Sequence, residues 1–170
     1  MHERPYRLGM GIAVFNKDNK VFIGERMDIP GAWQLPQGGV TLQEIETNLI
    51  DAALRELDEE TGIKNVELIA ITKDWAHYDF IDQGYVPGHS HKYRGQRQKW
   101  LAVRYLGKDD EIDLTTHEEE IEFQNWRWDD LSNIDQLIVD FKRPIYKFVQ
   151  SCFAFIPEEK SADLSKVIKL

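Results

Sequence analysis

The sequence predicts an α/β (α+β) fold in which a mixed β-sheet lies between helices. Three observations carry that expectation. Short runs with strand character recur along most of the chain, an acidic amphipathic helix follows the earliest of them, and a second amphipathic helix closes the chain. At 170 residues, 42% of them hydrophobic, the chain is of single-domain size with enough apolar side chains for one core. It has no internal repeat and no low-complexity linker. One domain is therefore expected over residues 1–156, followed by a charged tail at 157–170 that is poorly ordered or a short terminal helix.

Residues 7–15 and 21–25 read as strands around the polar turn Asn16-Lys17-Asp18-Asn19. Trp33-Gln34-Leu35 is a short extended piece stopped by Pro36; Gly38-Gly39 then introduces the acidic helix, and Gly62 ends it. Residues 66–72 and 75–80 read as strands, and residues 99–106 as another, apolar enough to be central. Between them, residues 82–98 are rich in Gly, His and basic side chains and read as a loop at the mouth of a site. Residues 109–120 form a solvated acidic loop, and residues 121–128 a last strand. Pro144 suits the first turn of a helix whose apolar positions Ile145, Phe148, Val149 and Cys152 follow the helical period.

Charge narrows the partners. With 21 basic and 30 acidic residues the formal charge is −9, which argues against broad backbone binding to nucleic acid, DNA included. A local patch can still grip one phosphorylated end, because exposed charges beyond about 10 Å are screened. The segment Lys92-Tyr93-Arg94-Gly95-Gln96-Arg97-Gln98-Lys99 gathers such a patch. No apolar run approaches the roughly 20 residues of a membrane span, and the Met-His-Glu-Arg-Pro start has no signal-peptide core, so a soluble, cytoplasmic protein without a membrane partner is expected. Cys152, the single cysteine, sits among Phe148, Val149, Phe153 and Phe155 and reads as a buried thiol. His77, His89, His91 and His117 lack zinc-site spacing and read as surface or loop residues.

The chemistry concentrates in Arg55-Glu56-Leu57-Asp58-Glu59-Glu60-Thr61-Gly62-Ile63. Glu56, Glu59 and Glu60 stand at i, i+3 and i+4, neighbours on one helical face. Ile50, Ala53, Leu54 and Leu57 fall on a different stripe, so the helix can bury one side and present acids on the other. Like charges at these spacings oppose folding by roughly 0.2–0.5 kcal/mol per pair. A hard divalent cation such as Mg²⁺ compensates them, taking carboxylate oxygens and completing its shell with water and phosphate.

Together with Gly38, Gly39 and Glu44 upstream, this pattern resembles the box of the Nudix hydrolase family. The resemblance implies an α/β/α sandwich, Mg²⁺ or Mn²⁺ held by Glu56, Glu59 and Glu60, and a structural ion pair between Arg55 and the upstream Glu. Ten residues separate Glu44 from Arg55, more than in the family pattern, and the family spacing counted back from Arg55 reaches Thr47. Either Glu44 keeps its role through a longer turn or Glu46 takes it.

Further segments, Pro5-Tyr6-Arg7, Trp33 to Gly39, Gly95 to Trp100, Glu122-Phe123-x-x-Trp126-x-Trp128 and Phe141-Lys142-Arg143, are similar to the RNA pyrophosphohydrolase branch of that family and to its dinucleoside polyphosphate hydrolases. That likeness implies hydrolysis of the 5′-triphosphate end of RNA or, alternatively, of molecules such as diadenosine tetraphosphate. It adds Glu122 to the metal set and implies that Phe141, with Arg26 opposite, stacks a base. Glu118, Glu119 and Glu120 belong to the solvated run and are poorer candidates. The proton acceptor is expected to be Glu59, Glu60 or Glu122, with Glu59 preferred, the alternative being a metal-bound hydroxide with no dedicated base. Arg7, Arg26, Arg97, Lys99 and Lys142 are the candidate phosphate cations. A non-catalytic nucleotide- or RNA-binding module is the contrasting reading, disfavoured because a sensor needs no such concentration of acid.

Overall fold

The structure, a computed structural model, describes residues 4–80, 92–117, 119–158 and 163–170. Two long strands form its centre. β1 (Tyr6–Phe15) and β7 (Gly95–Tyr105) run parallel, from Tyr6 beside Gly95 to Phe15 beside Arg104. Around them assemble β2 (Val21–Arg26), β3 (Trp33–Gln34), β4 (Gln37–Gly39), β5 (Val66–Thr72), β6 (Ala76–Asp79), β8 (Phe123–Asp129) and β9 (Val167–Lys169), all joined antiparallel. The main order is β3-β2-β1-β7-β5-β9, with β4 added to β1, β6 to β7 and β8 to β2. This is the mixed sheet the sequence predicts.

Strand alternation sorts the core into two layers. On one face Met10, Ile12 and Val14 of β1 and Leu101, Val103 and Tyr105 of β7 pack with Ala53 and Leu57 of α2 (Leu49–Thr61). On the other, Ala13, Phe15, Trp100 and Ala102 meet Ile145, Tyr146, Val149, Cys152 and Phe153 of α4 (Arg143–Phe153). Gly11 makes that second layer possible, because a Cβ there would lie 2.3 Å from the Trp100 ring. The sandwich of helices about a sheet is thus confirmed, with Pro144 in the first turn of α4 and Cys152 buried. Desolvation pushes the Cys152 thiol up to about 11, which suits packing rather than nucleophilic use.

Three expectations need correction. The acidic helix is two helices, α1 (Leu42–Thr47) and α2, broken at Asn48, which caps the end of the first and the start of the second. The expected loop at 82–98 ends earlier: residues 92–94 lead into β7 at Gly95, since β1 needs a parallel partner from Tyr6 onward. Residues 82–91 lie outside the described residues, as do His89 and His91. The charged tail supplies β9, whose alternating Val167, Ile168 and Lys169 pair with β5; Val167 is buried there. A short helix, α3 (Ile134–Leu137), precedes α4, and its four residues are too few to show a helical period. Among the described residues, no helix is long and apolar enough to cross a membrane.

Candidate active site

The strap from Trp33 to Gly39 and the helix α2 build the site from opposite sides. The strap is pinned from below, where the Leu35 amide donates to Tyr146 Oη at 2.9 Å in the α4 layer. β4 then lays Gln37, Gly38 and Gly39 against β1. Gly38 and Gly39 are small for contact reasons: a Cβ on Gly38 would fall 2.1 Å from the Glu56 carboxyl, and one on Gly39 would fall 2.8 Å from an Arg7 guanidinium nitrogen. Both glycines therefore shape the cavity wall. Gly62 ends α2 at φ 69°, a left-handed cap that glycine adopts without strain.

The longer spacing upstream of Arg55 is absorbed by α1. Thr41 and Glu44 form a reciprocal capping box, with the Thr41 amide donating to Glu44 Oε2 at 2.8 Å and the Glu44 amide to Thr41 Oγ1 at 3.1 Å. Those contacts with Thr41, aided by Arg55, hold the Glu44 carboxyl below its ordinary range. The other Glu44 oxygen accepts from Arg55 at 3.2 Å. Glu44, not Glu46, keeps the ion pair.

Arg55 also donates to Glu56 at 3.1 Å and to both oxygens of Glu59 at 3.3 Å. Glu56, Glu59 and Glu60 line one cavity of about 460 Å³ together with Glu122, Glu119, Glu120 and His117. A second cavity of about 360 Å³ shares Glu56, Glu59, Glu60, Glu120 and Glu122 with the first and adds Arg7, Gln37, Gln96 and Gln98. Loop residues set aside in the sequence reading, Glu119, Glu120 and His117, therefore do border the site. The sequence could not place them, because a solvated acidic run looks the same wherever it folds back. Glu118 lies outside the described residues.

The electrostatics are those of crowded acid. Desolvation, reinforced by the charges of Glu122 and Glu56, pushes Glu60 well above the ordinary carboxylate range, although the Gln37 amide donates to its Oε2 at 3.2 Å. Desolvation also raises Glu56, with Glu59 adding to it and Arg55 opposing. Among the described residues, no three acidic, His or Cys side chains close into a ready metal cage. Arg55 draws Glu56 and Glu59 toward itself instead. The donor set still fits a hard divalent cation: the four glutamates on one cavity present oxygen donors, and neutralising their charge would relieve the repulsion that raises Glu60.

The candidate cations divide. Arg7 borders the glutamate cavity. Arg26 pairs with Asp28 at 2.7 Å. Arg97 and Lys99 lie over the Trp75 ring, 5.6 and 5.7 Å from its centre, while the alternate strand positions Gln96 and Gln98 face the cavity. The strand period explains this, and a loop reading could not have foreseen it. Phe141 is half-buried against Tyr78, with ring centres 5.6 Å apart. Lys142, 8% exposed, reaches Gln34 Oε1 at 3.4 Å, and Gln34 Nε2 in turn donates to Glu122 at 3.2 Å.

Fold and site define a class. A family model for the NUDIX domain matches residues 5–151, and the chain belongs to that family. It is 48% identical over 147 residues to the RNA pyrophosphohydrolase of Pelagibacter ubique (strain HTCC1062), covering 86% of this chain and 90% of that one. It is 45% identical over 161 residues to the RNA pyrophosphohydrolase of Bradyrhizobium sp. (strain ORS 278), covering 88% and 93%. Among solved structures, it resembles the E. coli dihydroneopterin triphosphate pyrophosphohydrolase (TM-score 0.59, 20% identity, covering 86% of this chain and 98% of that one). It also resembles a C. elegans Ap4A hydrolase binary complex (TM-score 0.57, 17% identity, 86% and 98%). At these identities the structural likeness concerns the fold.

Proposed function

We propose that this protein is an RNA 5′ pyrophosphohydrolase, a Nudix phosphoanhydride hydrolase that converts the 5′-triphosphate end of RNA and water to a 5′ monophosphate, pyrophosphate and a proton, with Mg²⁺ or Mn²⁺. The observation that carries the reading is the single cavity bordered by Glu56, Glu59, Glu60 and Glu122, in a chain 42–48% identical over most of its length to curated RNA pyrophosphohydrolases.

Glu56, Glu59, Glu60 and Glu122 are the residues that would hold the cation. When bound, it would neutralise phosphate charge and lower the pKa of water. The chain's own groups do the rest. The attacking water forms a new oxygen–phosphorus bond as the anhydride bond breaks, and a cavity carboxylate accepts its proton. Glu59 is the proposed acceptor: at 41% exposure, against 15% for Glu56, it remains open to solvent and can pass the proton on. Arg55 restrains it through the two 3.3 Å contacts. Arg7, at the cavity edge, is positioned for phosphate oxygens, where a guanidinium can donate in bidentate fashion. Phe141, Arg26 and Lys142 are assigned to the nucleoside end, with Arg97 and Lys99 contributing longer-range attraction from around Trp75.

The test is a side-by-side assay of triphosphorylated RNA and diadenosine tetraphosphate at matched concentration with Mg²⁺, following pyrophosphate and 5′-monophosphate RNA. Release of pyrophosphate from RNA is expected. Rapid turnover of the dinucleotide with RNA untouched would transfer the assignment to dinucleoside polyphosphates, and no product from either would support a binding module.

A further inference from the structure

The strap carries a buried polar side chain to which the reaction above gives no role. Gln34 is 2% exposed, and both ends of its amide are used. Nε2 donates to Glu122 Oε1 at 3.2 Å, and Oε1 accepts from Lys142 Nζ at 3.4 Å. Chemistry fixes that orientation. An ammonium only donates and a carboxylate only accepts, so a flipped amide would set NH₂ against Lys142 and oxygen against Glu122, losing both bonds.

Lys142 is itself an unusual group to find there. It is the N-cap residue of α4, where the helix dipole disfavours a cation, and its side chain is nearly buried. Its Nζ lies 6.0 Å from the centre of the Tyr78 ring and within hydrogen-bond reach of the Gln34 oxygen. The contact with Gln34 links it to the cation-binding cavity.

We propose that Gln34 is a positioning residue that orients Glu122 in the cation-binding cavity and makes that orientation depend on Lys142. An acceptor on a ligand that draws Lys142 away frees the Gln34 oxygen, loosens the amide and so changes how Glu122 is held. Linking this to occupancy of the nucleoside end rests on the function proposed above. The Lys142–Gln34–Glu122 coupling itself does not.

The test is Mn²⁺ binding to the full-length protein, titrated by electron paramagnetic resonance without substrate, for wild type, Gln34→Met, Lys142→Met and the double variant. Gln34→Met is expected to weaken Mn²⁺ binding by roughly 10–100-fold, the range for outer partners of metal ligands. Lys142→Met is expected to weaken it in the same direction, at about the lower end of that range, with the double variant no weaker than Gln34→Met alone. A lysine acting only as a nearby charge predicts the opposite sign, because removing a cation tightens binding of another. Tighter binding in Lys142→Met, or unchanged binding in a folded Gln34→Met, overturns the proposal. Should Gln34→Met fail to fold, Lys142→Met decides by sign alone. If RNA proves not to be a substrate, the proposed function falls while these titrations still decide on Gln34.

Discussion

Helices α2 and α4 lie on opposite faces of one sheet and bury comparable apolar stripes, yet they differ in what they leave unresolved. α4 puts Ile145, Tyr146, Val149, Cys152 and Phe153 into the core, and its one fully buried hydroxyl serves the Leu35 amide. α2 buries Ala52, Ala53, Leu57 and Thr61 but carries Glu56, Glu59 and Glu60 on its other side, two of them pushed upward by desolvation and mutual repulsion. One helix is consistent at every level; the other holds strain next to a cavity. Such local conflict is what a face that serves chemistry rather than stability is expected to show.

Breaking the α4 side should cost folding and spare chemistry. Phe153→Ala removes a fully buried ring and is expected to lower stability by about 3–5 kcal/mol, measured by urea denaturation, with kcat of the remaining folded enzyme near wild type. An equal loss of kcat would show that the two faces are not separable.

Lys142 is the exception on that side, and pH exposes it. Burial, with the nearby Arg26 charge, lowers it from 10.5 to about 8, so between these values the unfolded chain binds a proton that the folded one does not, and stability rises with pH across that window. The penalty is fully present below about 8. The stability of the wild type relative to Lys142→Met should therefore rise by on the order of 3 kcal/mol between pH 7 and about pH 10.5, on top of a constant offset from the lost Gln34 contact. A constant difference between pH 7 and pH 10.5 would show that the ammonium is not strained in the fold.

The α2 side should respond in the reverse manner. Glu60→Gln keeps shape and removes charge, so turnover with Mg²⁺ should fall by more than about 10²-fold, or roughly 2.7 kcal/mol of transition-state stabilisation, while the melting temperature stays level or rises. Lower stability with activity retained would mean that Glu60 is a structural acid.

Much of this contrast was legible in the residues. The i, i+3, i+4 glutamates and the separate apolar stripe marked α2, and Pro144 with its helical apolar period marked α4. Other parts depended on register. Gln96 and Gln98 face the cavity only because β7 starts at Gly95 and pairs with β1 from Tyr6, which a basic, Gly-containing segment does not announce. Gln34 is a single polar residue in a short extended piece, and nothing local shows that its partners lie 88 and 108 positions away. His117, Glu119 and Glu120 reach the cavity through the path of an irregular loop.

The smallest expected effect probes the hydrogen bond by which Tyr146 of α4 supports the backbone of the strap. Tyr146→Phe leaves the ring in place and removes the hydroxyl that accepts from the Leu35 amide. That amide is then buried without a partner, at a cost of about 1–3 kcal/mol. Because Leu35 lies between Gln34 and Gln37, which hold Glu122 and Glu60, the strap should loosen as well as the core. A modest loss of stability accompanied by weaker Mn²⁺ binding would show the packing face setting the geometry of the acidic one. Lower stability with unchanged Mn²⁺ binding would instead show that β4, through its pairing with β1, holds the strap without help from below.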